Sequence, residues 1–224
     1  METNNTFSTE NFMTEFISAV KNTFSNRIVF IGLQGSRARN EETENSDIDT
    51  IVILDNLSFD DLINYKTAIK NLSYRDKICG FISGKSELLN WEKSELFQFY
   101  YDSVPYFGNL DFIKEIITLE DIEHSIKTCA CSIYHACCHN TLHEMSYDIL
   151  NELLKTAVIT IQAIVFLRTG KYIKYKTELI TYSNEKEKEI INHYLISRNP
   201  KGNTLDFNEV SKKLFDFSQN IINR

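Results

Sequence analysis

The sequence is poor in the two residues that most often interrupt regular structure. Its 224 residues include only 2 prolines and 7 glycines. This content excludes collagen-like and linker-rich chains and favours a helix-rich protein with few turns. Hydrophobic residues make up 42% of the chain and aromatic residues 12%, which excludes a wholly disordered protein. The length is sufficient for one large or two small hydrophobic cores.

Long uninterrupted apolar runs are also missing. The longest are Ile28–Leu33 and Ala157–Leu167, and the second contains Thr160 and Gln162. A membrane-spanning helix needs about 20 predominantly apolar residues, so we interpret these runs as a core strand and a core helix and expect no membrane partner. Residues 1–5 lack the basic and apolar parts of a secretory signal. We therefore expect a cytoplasmic protein.

Basic residues are outnumbered by acidic ones. The chain has 24 Lys and Arg against 31 Asp and Glu, a formal net charge of −7. Affinity for duplex nucleic acid comes from clustered Lys and Arg, so we expect no such partner, although a metal ion and backbone N–H groups can still hold a nucleotide. The 5 cysteines are an odd number, four of them within Cys129–Cys138. This is not a disulfide framework and fits free thiols in a reducing compartment.

The predicted elements change in character along the chain. Residues 8–25 predict a helix with Ser8 or Thr9 as N-cap, and residues 58–72 predict a second helix. The predicted strands are Ile28–Leu33, Asp47–Leu54 and Ile78–Ser83. The later helices are Trp91–Tyr101, Leu119–His143, Tyr147–Thr169 with Gly170 as its C-cap, Asn184–Ile196 and Phe207–Ile222. We predict an α+β protein, a small mixed β-sheet followed by a helical bundle.

The most informative stretch joins two predicted strands. Gly35 and Ser36 follow the first strand, and Asp47 and Asp49 begin the next after a spacer of ten residues, 37–46. Residues i and i+2 of a strand share a face, so the two carboxylates project together. Neighbouring carboxylates repel unless a cation lies between them, and Mg²⁺ takes one or two carboxylates with substrate phosphates. Gly35 allows close backbone approach, so this turn suits phosphate oxygens.

The alternative is an Asx-rich turn that leads into an edge strand with one polar face. Against it, the Gly-Ser turn, the spacer and the strand Thr50–Leu54 occur together. In this combination residues 28–54 resemble the signature of the nucleotidyltransferase superfamily, which has the DNA-polymerase-β-like fold. The local form Gly-Ser-Arg-Ala-Arg, then Ser-Asp-Ile-Asp, is most similar to small bacterial and antibiotic nucleotidyltransferases, a group that includes minimal antitoxin-type enzymes.

The resemblance implies a nucleotidyltransferase-like α/β domain in residues 1–110 and a helical bundle domain in residues 111–224. It implies two Mg²⁺ ions held by Asp47 and Asp49, with the triphosphate of an NTP over Gly35 and Ser36. An acceptor then attacks the α-phosphorus and releases pyrophosphate, so that AMP passes from ATP to a small molecule or a protein. The partners are therefore a nucleotide and an unknown acceptor, and a homodimer is left open.

Basic residues in two loops are further candidates for nucleotide binding. Arg37 and Arg39 follow the Gly-Ser turn and are either phosphate ligands or solvated charges. A segment similar to one in the helical domains of antibiotic nucleotidyltransferases contains Lys171, Lys174 and Lys176. These lysines either reach the triphosphate or form a solvated basic loop.

A third carboxylate is harder to place. In the family it lies mid-strand on the next core strand, as a metal ligand and often as the base, but that strand has Cys79 and Gly80 in its middle. Asp76 joins Asp47 and Asp49 as a catalytic candidate if the strand starts early. The other candidates are Glu95, Asp102, Asp111, Glu144 and Asp148. Without a third acid, the alternative function is a catalytically silent relative that binds nucleotide, or a partner protein, for regulation or antitoxin duty.

Two other features have competing interpretations. Cys131, His135, Cys138 and His139 share one helix face, but four ligands on one straight helix cannot surround a zinc ion. We therefore expect close helix packing by Cys and Ala there.

The aromatic segment Phe97–Asn109 either lines a base or acceptor pocket or forms a core helix and a turn between domains.

Overall fold

The computed structural model describes residues 7–43, 46–198 and 205–224. Residues 1–5, and Glu44 and Asn45 of the spacer, lie outside this part. The chain forms two compact units, one of Met1–Glu92 with Asp102–Ile116 and one of Lys93–Tyr101 with Ile117–Arg224. The domain boundary at residue 110 stays a prediction.

The elements are numbered in chain order within the described residues. The strands are β1 (Ile28–Gln34), β2 (Ile48–Leu54), β3 (Ile78–Gly84) and β4 (Val104–Gly108). The α-helices are α1 (Thr9–Phe24), α2 (Phe59–Ala68), α3 (Lys85–Leu89), α4 (Lys93–Asp102), α5 (Asp111–Lys114), α6 (Leu119–His139), α7 (Tyr147–Thr169), α8 (Lys176–Tyr182), α9 (Glu185–Arg198) and α10 (Phe207–Ile222).

The first unit is built on a four-stranded mixed sheet of order β3-β2-β1-β4. β1 pairs antiparallel with β2 and with β4, whereas β2 and β3 are parallel. The C-terminal end of β1 and the N-terminal ends of the other three strands therefore share one edge of the sheet. Together with the helical second unit, this sheet confirms the predicted α+β class.

One face of the sheet is covered by α1. The helix begins where Ser8 accepts a hydrogen bond from the Asn11 N–H, as predicted for the N-cap. Its buried side chains recur near helical spacing and pack in one cluster with alternate residues of β2, which are Ile48, Val52 and Leu54. The odd-numbered residues of β2 consequently lie on the opposite face.

The second unit contains a core formed by α6, α7, α8, α9 and α10. α7 has the predicted bounds and ends at Gly170, whose φ is +71° and whose N–H donates to the Phe166 carbonyl at 2.7 Å. In the described part of the chain, α7 alone is long and apolar enough to cross a membrane. Of the most apolar 18-residue stretch of α7, 56% is buried in the protein. Core helices of folded proteins can be as long and as apolar as this one.

Several short elements differ from the prediction. The helix predicted over 58–72 ends at Ala68, and the one predicted over Leu119–His143 changes at Asn140 into a π-helical turn. β4, α3, α5 and α8 were not predicted. Each is 4 to 7 residues long, which is too short for a clear hydrophobic period. β4 also contains Pro105, which a strand tolerates at the edge of a sheet.

An ion pair joins the start of β1 to the start of α2. The Arg27 guanidinium donates to both carboxylate oxygens of Asp61, at 2.8 and 3.0 Å. Asp61 is also the N3 residue of a capping box and accepts from the backbone N–H of Ser58 at 2.8 Å. The hydrogen bonds from Arg27 first, and from Ser58 next, hold the pKa of Asp61 well below its usual range.

We expect Asp61→Asn to lower the free energy of unfolding by about 1–3 kcal/mol at pH 7, because charged hydrogen bonds to Arg27 are lost. The depressed pKa of Asp61 means that its stabilisation is present above the unfolded-state pKa of about 3.9 and disappears as the pH falls towards the folded-state value. Urea unfolding from pH 7 to pH 2 should show the difference from wild type shrinking below about pH 4. Asp60→Asn, at an exposed neighbour, is the control, and a difference independent of pH would contradict the assignment.

Candidate active site

The shared edge of the sheet collects the predicted motif residues. β1 ends at Gln34 and is followed directly by Gly35, while Asp47 immediately precedes β2 and Asp49 lies within it. In the register of the sheet, Asp49 lies beside Gln34 of β1 on one side and beside Cys79 of β3 on the other. The glycine turn and the two aspartates are thus brought together as predicted.

Gly35 and Asp49 are in direct contact. Gly35 has a φ of +74°, a left-handed conformation that favours glycine. A Cβ atom built on Gly35 would lie 1.9 Å from Oδ2 of Asp49, so the carboxylate occupies the space of the missing side chain. Glycine is therefore required here for its conformation and for the close approach of the carboxylate.

Asp47 and Asp49 stand on the face of the sheet opposite α1. Between them, Ile48 is fully buried in the α1 core, while Asp47 is exposed and Asp49 half-buried. Among the residues that the structure describes, no three His, Cys, Asp or Glu side chains are grouped so as to hold a metal ion. The carboxylate pair fits a Mg²⁺ ion that completes its shell with substrate phosphates and water.

Arg37 is buried rather than solvated. It begins a short 3₁₀ turn, and its guanidinium donates to the backbone carbonyls of Ser46 at 2.8 Å and Asp47 at 3.0 Å. The same group lies 4.0 Å from the ring centroid of Phe7. The interpretation of Arg37 as a solvated charge is therefore wrong, because this side chain holds the segment that presents Asp47. Its role in nucleotide binding stays a prediction.

Arg39 is buried as well and ties the turn after β1 to the last residue of α4, shortly before β4. It donates to the carboxylates of Glu41 at 2.8 Å and of buried Asp102 at 2.5 Å. Beside this pair, the Gln34 amide donates to the Ser103 hydroxyl at 3.0 Å. Asp102, one of the candidates for the third carboxylate, is thus bound to an arginine of the same unit.

The face of β3 beside Asp49 carries a thiol. A Cβ atom on Gly80 would lie 2.5 Å from Oγ1 of Thr50, which places Gly80 and Thr50 on the same face of the sheet. Cys79, the exposed residue in register with Asp49, therefore shares the other face with it. β3 begins at Ile78, so it does not start early.

Asp76 consequently lacks the position that its catalytic role requires. It lies exposed in the 3₁₀ turn Arg75–Lys77 that precedes β3. Of the remaining third-acid candidates, Asp111 is the exposed first residue of α5, and three others are exposed in the second unit, namely Glu95, Glu144 and Asp148. The structure brings none of these into the register beside Asp49.

A comparison with known protein families matches this part of the chain. Residues 18–98 match the family model described as Polymerase beta, Nucleotidyltransferase. The chain contains a domain of the nucleotidyltransferase superfamily. The matched interval includes Gly35, Asp47 and Asp49, so the carboxylate pair lies within the nucleotidyltransferase domain.

A comparison with solved structures finds an adenyltransferase of similar fold. A spectinomycin adenyltransferase from Enterococcus faecialis, solved with ATP and spectinomycin, is 16% identical with a TM-score of 0.59, covering 97% of this chain and 100% of that one. At this identity the likeness shows the fold alone. A cyclic dinucleotide synthase from Elizabethkingia meningoseptica, solved with GTP and Apcpp, is 14% identical, covers 96% of this chain and 90% of that one, and has a TM-score of only 0.32. A search of curated proteins finds no match.

The predicted lysines lie in the second unit, outside the part matched by the nucleotidyltransferase family. Lys171 is exposed after α7, and its binding role stays a prediction. Lys176 is buried and its ammonium donates to the Gln162 side chain. The interpretation of Lys176 as a solvated charge is therefore wrong, and its role in nucleotide binding stays a prediction.

The aromatic segment is divided between two elements. Phe97 is buried in the core of the second unit, where its ring lies 5.0 Å from that of Phe166 and 5.1 Å from that of Tyr101. Residues 104–108 instead form β4 at the edge of the sheet. The core-helix interpretation is confirmed for Phe97, and the predicted turn is replaced by a strand.

The Cys and His residues of α6 do not form a packed face. Cys131, His135 and His139 are exposed, whereas the buried positions include Ala130 and Cys137. Close packing therefore involves a neighbouring face of the helix. The expectation of close packing by Cys and Ala is confirmed for Ala130, and it is wrong for Cys131, which is exposed.

We expect Gly35→Ala to destabilise the protein more than Gly170→Ala. Both glycines have positive φ, which costs an L-residue about 1–2 kcal/mol, but a Cβ on Gly170 would meet no atom within 4 Å. Only the first substitution also displaces the Asp49 carboxylate. Urea unfolding measures both losses, and equal values would contradict the contact between Gly35 and Asp49.

We expect Arg37→Lys to lower the free energy of unfolding by about 1–3 kcal/mol, since one ammonium cannot reproduce the planar fork that serves two carbonyls. The amides of Ser46 and Ile48 should exchange hydrogen for deuterium faster. Arg198→Lys, at an exposed position, is the matched control. If the two variants are equally stable, Arg37 does not hold this segment.

Proposed function

We propose that this protein transfers AMP from ATP to a small-molecule or protein acceptor, with Mg²⁺, and releases pyrophosphate. The observation that carries the proposal is the placement of Asp47 and Asp49 beside the Gly35 turn, at one edge of the sheet in the nucleotidyltransferase domain. Binding of ATP and spectinomycin by the structurally similar spectinomycin adenyltransferase supports ATP as donor and a small molecule as acceptor.

Each residue at the edge has a distinct part in this proposal. Asp47 and Asp49 would hold the metal ion, which when bound neutralises charge on the triphosphate oxygens, including those of the reacting phosphate. Gly35 and Ser36 offer backbone N–H groups to the phosphates. Arg37 positions the segment that carries Asp47 through its hydrogen bonds to the Ser46 and Asp47 carbonyls.

A second candidate function is favoured by the absence of an acid from the β3 position beside Asp49. With Cys79 there, a protein that binds Mg²⁺ and nucleotide but transfers nothing is the alternative, with a regulatory or antitoxin-type role. Nucleotide binding is common to both functions. Release of pyrophosphate in the presence of an acceptor distinguishes them.

We expect Asp47→Asn and Asp49→Asn each to weaken the binding of Mg²⁺-ATP at least about tenfold, because an amide lacks the charge that holds the ion. Calorimetric titration with Mg²⁺-ATP measures binding, and a pyrophosphate assay over a panel of acceptors measures transfer. Asp76→Asn, at the exposed turn before β3, should bind as wild type does. Unchanged binding in both Asp47→Asn and Asp49→Asn would refute the site.

A further inference from the structure

The neighbours of Asp49 in the sheet are both uncharged. Its two in-register partners are Gln34 on β1 and Cys79 on β3, and adjacent strands lie only about 4.8 Å apart. These are the positions from which a side chain most directly joins a carboxylate in holding a cation. Neither supplies a carboxylate.

Two further acids of this unit that lie near the strands are placed elsewhere. The Asp102 carboxylate accepts the hydrogen bond from Arg39. Glu87 lies at the far end of β3, where a Cβ on Gly84 would be 2.1 Å from its Oε2. Five residues of strand, about 16 Å, separate Gly84 from Cys79.

We propose that Asp47 and Asp49 hold a divalent cation only together with the triphosphate of the nucleotide, and that Cys79 is the residue that sets this dependence. The inference rests on the proposed function. Affinity for hard cations rises with the number and charge of oxygen ligands. Two carboxylates alone form a weak site, and the phosphate oxygens complete it.

The dependence is reciprocal. If the nucleotide raises the affinity for the cation, the cation raises the affinity for the nucleotide by the same factor. A carboxylate at position 79 would remove the dependence of cation binding on the nucleotide, because three protein acids on one face would retain the cation without it. Position 79 thus determines whether the cation is resident or arrives with its substrate.

Titration with Mn²⁺, followed by the electron paramagnetic resonance signal of the free ion, tests the proposal. Wild type, Cys79→Asp and the neutral control Cys79→Ser are compared, each with and without a non-hydrolysable ATP analogue. We expect the analogue to raise the Mn²⁺ affinity of wild type and of Cys79→Ser at least about tenfold. Without nucleotide, Cys79→Asp should bind Mn²⁺ about tenfold more tightly than Cys79→Ser. Cys79→Glu repeats the test with a longer side chain.

Three results overturn the proposal. The first is wild-type Mn²⁺ binding of equal strength with and without the analogue. The second is equal nucleotide-free binding by the two acidic variants and Cys79→Ser. The third is nucleotide-free binding of Cd²⁺ by wild type with a thiolate charge-transfer absorption that Cys79→Ser lacks, since the thiol would then be a ligand.

The same titration separates this inference from the proposed function. If Mn²⁺ binds wild type with the analogue, and Asp49→Asn abolishes that binding, the carboxylate site is supported. In that case, a Cys79→Asp variant that binds Mn²⁺ no more tightly than Cys79→Ser without nucleotide refutes the inference alone. If Mn²⁺ does not bind wild type even with the analogue, the proposed function fails and the inference fails with it.

Discussion

The antiparallel pairing of β1 with β2 is the constraint on which the candidate site depends. The register places Gln34 opposite Asp49, so the chain that turns at Gly35 must pass directly over the Asp49 carboxylate. A shift of one residue would turn Asp49 towards the α1 core and Ile48 towards solvent. The burial of Ile48 therefore fixes the register and, with it, the direction of both carboxylates.

Two buried arginines complete this edge. Arg37 and Arg39 are 5% and 9% exposed, and a buried guanidinium is tolerated only where its N–H groups find acceptors. Arg37 finds backbone carbonyls and Arg39 finds the carboxylates of Glu41 and Asp102. Hydrogen bonds from these two arginines thus position the described part of this largely polar loop.

Much of this arrangement could be predicted from sequence because it depends on local patterns. β1 and β2 follow from their apolar runs, α7 from its length and Gly170 cap, and the carboxylate pair from its spacing after Gly35. The pairing of Arg39 with Asp102 could not be predicted, because the two residues are 63 positions apart and only the folded sheet brings them together. The same holds for Cys79, whose place beside Asp49 depends on the parallel register of β3. β4 was not predicted although its composition is aromatic and β-branched, because its five residues follow α4 without a turn signal.

The Asp49 carboxylate fills the space beside the Gly35 backbone and has little conformational freedom before any ligand arrives. Immobilising a side chain on binding costs about 0.5–1.5 kcal/mol, and here that ordering takes place when the chain folds. The entropic cost of a precise ligand geometry is transferred from binding to folding. A population of molecules with a loosened sheet would therefore lose affinity at this edge before it lost its secondary structure.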